Sequence, residues 1–392
     1  MASQTVSTIS ERDRKAIEQL RSRLQAELRD DPVYADDFMM LRWLMGYDYD
    51  IEDILPRIKY ALQMRRALKL REITFDNLAD IREYMKRNFS NTVIEYFPGG
   101  VAGTDRQGNI VVVDPVGRAD PRGLIVCGRV SEFLRSRLTE CEAVAALVRA
   151  QERKLGRKCG VVYISDVDGL SWDHMWRPAM HVYLQLLVIM QQYFPDFLVK
   201  IYVIRYPTLV HAAYRLVYPV LSRQTRNKVE FVSGDWKARL NALIDPSQLP
   251  PYWGGTNNNN DSQYGNVRMN CKVPKELRYD PSKNPLECAD SELTSYTVSR
   301  GSKWCLKVSV ARSNARLKWF FRLLSGDIAF SVYCTDASGQ PFILFPRFRL
   351  NTDFVPEWGE VQCQQVGEYI LEFDNSHSFV RSKTVNYKVW IE

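Results

Sequence analysis

Two continuous apolar runs, Ile110–Val113 and Val161–Ile164, followed by later strand-like stretches Val199–Ile204 and Val229–Val232, constrain this chain more than any other feature. The continuous runs are rich in β-branched residues, which marks strands buried on both faces, as in a mostly parallel sheet. The segments between them read as helices. One runs from Val130 to Lys154, and an apolar one from Trp176 to Phe194 repeats Met180, Tyr183, Leu184, Leu187 and Met190 at helical spacing. The pattern starts near Phe75 and defines an α/β domain.

The residues before it read as a small helical bundle. Ser10, with Asp13 three positions on, caps a helix whose Ile17, Leu20, Leu24 and Leu28 form one stripe. Asp36 and Asp37 precede Phe38, Leu41 and Leu44, and Asp50 precedes Ile54, Ile58, Ala61, Leu62 and Leu68. After Thr256 the tract Asn257–Asp261 marks a boundary, and the apolar period then changes to two. Trp304, Leu306, Val308 and Val310 alternate with polar neighbours. The period of two repeats in Leu317, Trp319, Phe321 and Leu323, then Ile328, Phe330 and Val332, then Tyr369, Leu371 and Phe373, then Tyr387, Val389 and Ile391. Half-buried strands joined by turns such as Asp336–Gly339 predict an antiparallel β-sandwich of about 110 to 120 residues. The expected domains are 1–75 helical, 76–256 α/β, 257–275 linker and 276–392 sandwich.

A chain of 392 residues exceeds what one core supports, in agreement with several domains. Its net charge of +7 is scattered, without the dense Lys/Arg runs of nucleic-acid binders, and fits solvated faces with a weak pull toward anionic lipid surfaces. No secretory leader pattern and no long apolar span occurs, so the expectation is a soluble cytoplasmic protein. Cysteines 127, 141, 159, 271, 288, 305, 334 and 363 form no Cys-x-x-Cys pair and read as reduced, packed thiols.

Catalytic apparatus is missing from the sequence. Pro98–Gly103 is glycine-rich but precedes a strand, whereas a phosphate-cradling loop follows one, so it reads as a turn. Asp166 and Asp168 lack further metal ligands and read as turn caps. Histidines 174, 181, 211 and 377 have no metalloprotease spacing, and no Gly-x-Ser-x-Gly elbow supplies a nucleophile. No cofactor and no metal is expected.

Five motifs in one order, Leu41-Arg-Trp-Leu44, Asp166-x-Asp-Gly-Leu170, Tyr193-Phe-Pro-Asp196, Pro219-x-Leu-Ser222 with Lys228, and Tyr252-Trp-Gly-Gly-Thr256, resemble the CRAL-TRIO family of lipid-transfer proteins. The sandwich, with Ser299-Arg-Gly-Ser302 and Phe373-Asp-Asn-Ser376, is similar to GOLD domains. The resemblance implies a bound hydrophobic ligand, a tocopherol- or squalene-like isoprenoid or a phospholipid including phosphatidylinositol, carried between membranes without chemistry. Lifting a two-chain lipid from a bilayer exposes on the order of thirty methylenes at roughly 0.8 kcal/mol each, so a carrier needs a closed apolar cavity.

In the family the sheet floors that cavity and a helix matching Pro207–Leu221 swings aside at the membrane. Here Leu209, Val210, Ala213, Leu216, Val217 and Val220 would form the lid's apolar face, with His211 and Arg215 pointing elsewhere. Expected pocket residues are Val111, Val113, Tyr163, Tyr183, Leu184, Leu187, Met190, Phe194, Ile201 and Val203. Positions matching the family's inositol-phosphate contacts are Asp196, Thr225 and Lys228, whereas Met45, Gly46 and Tyr47 stand where relatives carry Arg-x-Arg. The rival expectation is a membrane-trafficking adaptor acting through the sandwich on a protein partner, with the lipid as a signal.

Overall fold

A computed structural model describes residues 9–73, 87, 92–258, 262–269, 272–335, 339 and 341–392. Phe75, Cys271, residues 259–261 of the asparagine tract and 336–338 of the Asp336–Gly339 turn lie outside them. The chain divides into two compact units. The first gathers Met1–Leu62, Arg71–Pro121 and Ser136–Val273, and the second gathers Gln63–Leu70, Arg122–Arg135 and Pro274–Glu392.

The first unit opens with α1 (Glu11–Ser22), α2 (Gln25–Arg29), α3 (Asp37–Gly46) and α4 (Ile51–Ala67), of which the residues from Gln63 on belong to the second unit. Ser10 and Asp13 make the reciprocal cap, the Asp13 amide donating to Ser10 Oγ at 3.1 Å and the Ser10 amide to Asp13 Oδ2 at 3.3 Å. Asp36 accepts from the amides of Phe38 and Met39, and Asp50 from that of Asp53. The apolar stripes turn inward: Ile17, Leu20, Leu24, Met40, Trp43, Leu44, Ile54 and Ile58 are buried. Arg42 is buried too, because its guanidinium donates to Glu152 at 2.8 Å and to the carbonyl of Cys159.

The unit's sheet has the order β1-β2-β3-β4-β5: Gly100–Thr104, Ile110–Asp114, Val161–Asp166, Leu198–Ile204 and Val229–Phe231. Strands β2 to β5 pair in parallel, as the apolar runs imply, and β1 pairs antiparallel on β2. The glycine-rich Pro98–Gly103 stretch is therefore mostly an edge strand rather than a turn. Its glycines answer to close backbone approach: a Cβ on Gly103 would stand 2.5 Å from the Gln248 carbonyl oxygen, and one on Gly100 2.7 Å from that of Asn266. The unit's further helices are α6 (Val130–Leu155) from Ser136 onward, α7 (Arg177–Tyr193), α8 (Val210–Val217), α9 (Arg223–Asn227) and α10 (Trp236–Leu243), whereas α5 (Pro121–Cys127) belongs to the second unit from Arg122 onward.

The second unit is built on two four-stranded antiparallel sheets. One has the order β10 (Pro341–Asn351), β9 (Asp327–Thr335), β12 (Gly367–Asp374), β7 (Lys303–Val310). The other has the order β11 (Glu357–Cys363), β8 (Ala315–Leu323), β13 (Lys383–Ile391), β6 (Thr294–Val298). The period-two residues meet in an aromatic core, with Phe330 centred 4.9 Å from Phe321, 5.0 Å from Phe373 and 5.6 Å from Trp319. Each such ring contributes about 1.5–3 kcal/mol by leaving water.

Candidate functional site

Parallel register places in-line residues of neighbouring strands on one face of the sheet, so the two faces can be read off the pairing. On one face lie Val111 and Val113, Val162 and Ile164, then Tyr202 and Ile204. That face is packed solid: all six are buried with Leu240, Ile244, Leu249 and Trp253 in one cluster. The opposite face carries Val112 and Asp114, Tyr163 and Ser165, Ile201 and Val203, Val229 and Phe231. Here a small core of Val167, Val203 and Val210 closes, and Tyr163, Ile201, Val229 and Phe231 stay half-buried. This corrects the assignment of Val111 and Val113 to the same wall as Tyr163; their side chains leave the sheet on its filled side.

Helix α7 shows the same contrast between adjacent stripes. Ala179, Val182, Leu186, Ile189 and Tyr193 are buried, whereas Tyr183, Leu184, Leu187 and Met190 are half-buried. Tyr163 donates its hydroxyl to Asp114 Oδ2 at 2.7 Å. Burial, then the neighbouring Asp114, pushes the Tyr163 and Tyr183 phenols above their ordinary range. Burial likewise raises the Asp114 carboxyl against the pull of Arg137, and its Oδ1 has no hydrogen-bond partner among the described residues. Phe194 stands apart from this group, edge-on to Phe197 at 5.9 Å.

The expected lid is α8 followed by a 3-10 turn, Tyr218–Val220. Val210 is buried, and Leu209, Ala213, Val217 and Val220 are half-buried. Leu216, placed on that face from the sequence, is instead 45 % exposed, beside Tyr218 at 46 %. Aromatic rings do the inward packing: Tyr214 and Tyr206 meet Phe231 edge-on at 5.3 and 5.4 Å, and the His211 ring lies 6.0 Å from it. Tyr214 follows Val210 by one helical turn, which was the available signal for it. The far end is tied to α7 by Gln191, whose Nε2 donates to the Val220 carbonyl at 3.1 Å and whose Oε1 accepts from the Ser222 amide at 2.7 Å.

Asp196 and Lys228 come together, and a third residue joins them. Lys228 Nζ lies 2.8 Å from Asp196 Oδ1 and Lys158 Nζ 2.6 Å from Oδ2. Burial disfavours the Asp196 anion, but the two ammonium groups overcome it and hold the carboxyl below its usual range. Thr225 sits one turn before Lys228, and its hydroxyl pairs with Ser222 Oγ at 2.9 Å. Lys158 was missed because it precedes a strand remote in sequence; the only signal was a lysine flanking an apolar run. The Met45–Tyr47 segment lies against this corner. A Cβ on Gly46 would stand 2.7 Å from Cβ of Pro195, and Gln224 Nε2 donates to the Met45 carbonyl at 2.8 Å.

Asp166 and Asp168 belong to a structural clamp at the strand ends. Arg205 reaches Asp166 through Nε at 3.0 Å and Asp168 at 3.2 Å, Arg118 pairs with Asp168 at 2.9 Å, and both arginines donate to the Tyr252 hydroxyl at 3.0 Å. The Asp-x-Asp and Tyr-Trp motifs are thus two halves of one contact.

Residues 94–255, which carry this sheet, α7 and the lid, match the family model described as CRAL/TRIO domain. Protein ctg-1 of Caenorhabditis elegans is 24 % identical over 376 residues, 91 % of this chain and 92 % of its own length. The CRAL-TRIO domain-containing protein T23G5.2 of the same organism is 26 % identical over 318 residues, 79 % of this chain and 42 % of its own length. Among solved structures, that of Sfh5 aligns with a TM-score of 0.49 at 16 % identity, covering 69 % of this chain and 96 % of that one. Over residues 94–255 the chain is thus similar to CRAL/TRIO domains. No helix among the described residues is long and apolar enough to cross a membrane.

Proposed function

We propose that the protein is a lipid carrier whose ligand lies on the half-buried face of the sheet, under α7 and the α8 lid, and that it performs no chemical step. The observation that supports this reading is the inequality of the two sheet faces. One is closed by fully buried residues around Trp253, while on the other Tyr163 and Ile201 stay half-buried, as do Tyr183, Leu184, Leu187 and Met190 of α7. A folded domain gains by burying such surface, and an apolar guest supplies the missing contacts.

The proposed guest is an isoprenoid of tocopherol- or squalene-like character or a phospholipid, phosphatidylinositol included. The free oxygen of Asp114 offers a polar head one anchor at the end of the apolar wall. For an inositol phosphate the anchor is the Asp196 corner, where two ammonium groups and one carboxylate leave a single positive charge to meet the phosphate. Lid opening at a membrane, with Leu216 and Tyr218 already outward, exchanges the guest. The protein would then work in the cytoplasm with transient membrane contact.

The test is vesicle-to-vesicle transfer by the intact chain and by Leu187→Trp, whose larger ring occupies the proposed space. The expected result is a folded variant with transfer reduced about tenfold or more. Equal transfer by the two proteins contradicts the site.

A further inference from the structure

In the second unit, the loop between β12 and β13 holds two adjacent apolar side chains in water: Phe379 is 85 % exposed and Val380 79 %. Single exposed apolar residues are ordinary, but a neighbouring pair on a well-anchored loop is not. The anchoring is extensive. Asn375, fully buried, donates through Nδ2 to the carbonyls of Val298, Ser299 and Arg381 at 3.3, 3.2 and 3.0 Å. Ser378 Oγ donates to the Arg381 carbonyl at 2.9 Å and accepts from the Arg381 amide at 3.3 Å, which closes a tight turn with Phe379 and Val380 at its crown. The Gly301 amide reaches the carbonyls of Asn375 and Ser378 and stitches the Ser299–Ser302 turn to the same tip.

Charge singles out the surface this tip fits. The stretches 299–303 and 375–383 contain Arg300, Lys303, Arg381 and Lys383 and no aspartate or glutamate. Lys303 is engaged by Glu372 and Asp374, but Arg300, Arg381 and Lys383 enter no ion pair among the described residues. Asp374 and Asp327, the carboxylates at the adjoining strand ends, are occupied by Arg347 and by Arg349 and His377.

We propose that this tip is a membrane-docking wedge: Phe379 and Val380 enter the boundary between headgroups and acyl chains, and Arg300, Arg381 and Lys383 rest on anionic headgroups. A protein partner is the poorer match, since a stable protein interface takes roughly 800 Å² from each side and two protruding side chains supply a small part of that. An apolar point ringed by uncompensated cations is what the interface of an anionic bilayer accommodates. The proposal concerns the second unit alone and stands whether or not the first carries a lipid.

The experiment is co-sedimentation of the full chain with phosphatidylcholine vesicles with and without phosphatidylserine. Wild type is expected to bind the anionic vesicles, and Phe379→Asp/Val380→Asp to lose about tenfold or more in partitioning. Arg300→Gln, Arg381→Gln and Lys383→Gln should each weaken binding roughly fivefold, with a shallower salt dependence. All five residues belong to the turn 299–302 or the loop and strand start 375–383, and unchanged thermal unfolding confirms that these variants stay folded. Failure of wild type to bind, equal binding to neutral vesicles, or full binding by the double aspartate variant overturns the wedge. Lipid co-purifying with that variant as with wild type separates this site from the carrier function; loss of the cargo too, with the fold intact, overturns the independence of the two.

Discussion

The indole Nε1 of Trp253 donates to Oδ2 of Asp166 over 2.9 Å, inside a cluster where Trp253 is wholly buried. Through Arg205, which grips the same carboxylate, this contact joins the filled side of the sheet to the start of the lid segment. Trp253→Phe should cost about 1–2 kcal/mol by removing one partner of a buried carboxylate. Asp166→Leu should cost roughly 3 kcal/mol, because it removes the buried acceptor of the Trp253 indole and leaves Arg205 only the more exposed Asp168. Denaturant unfolding checks both, and a cost near zero for Asp166→Leu contradicts the clamp.

Gly46 is fixed by its neighbour rather than by its own backbone. With a Cβ placed 2.7 Å from Cβ of Pro195, Gly46→Ala must push the 195–196 segment outward. The expected cost is about 1–3 kcal/mol. Because Asp196 moves with Pro195, anionic-lipid loading should fall in the same variant, as lipid extraction can read.

Lys228→Ala removes one of the two cations on Asp196. Loading of phosphatidylinositol should fall about tenfold, and that of a neutral isoprenoid should hold, if the corner binds a phosphate. Equal loss of both ligands would show that Lys228 supports the fold instead.

Glu357 predicts a pH response in the second unit. Burial raises its carboxyl to about 7 despite Arg129 and the Ser131 hydroxyl, which donates to both carboxylate oxygens at 2.9 and 2.7 Å. A carboxyl raised on folding favours the folded state at low pH. Its contribution is whole below about pH 4.5 and is lost as pH rises through about 7, a swing on the order of 3 kcal/mol. The unit should therefore unfold more easily at pH 8 than at pH 6, and Glu357→Gln should flatten that slope. A wild-type slope of the opposite sign would contradict the assignment.

The sandwich was legible because inner residues such as Leu317, Trp319 and Phe321 recur at every second position, although Phe320 between them is apolar and buried as well. The parallel sheet was legible only as strands. In Ile110–Val113 every residue is apolar, so nothing local separates Val111 and Val113, on the filled side, from Val112, on the open one; long-range register decides it. Strand β1 was hidden by its glycines, whose reason is the approach of Gln248 and Asn266 from far along the chain. The Asp196–Lys228 pair was visible as motif residues, but Lys158 reaches it through tertiary structure alone. Leu216 shows the limit of helical spacing: a wide apolar arc does not say which edge meets the protein and which stays exposed.

On the proposed reading, one face of the first unit's sheet holds an apolar guest. Native mass spectrometry of the purified full chain, followed by organic extraction, addresses it directly. The account predicts a mass excess of one lipid per chain, lost on extraction and absent from Leu187→Trp. A chain with no bound lipid, and none acquired from vesicles, contradicts it.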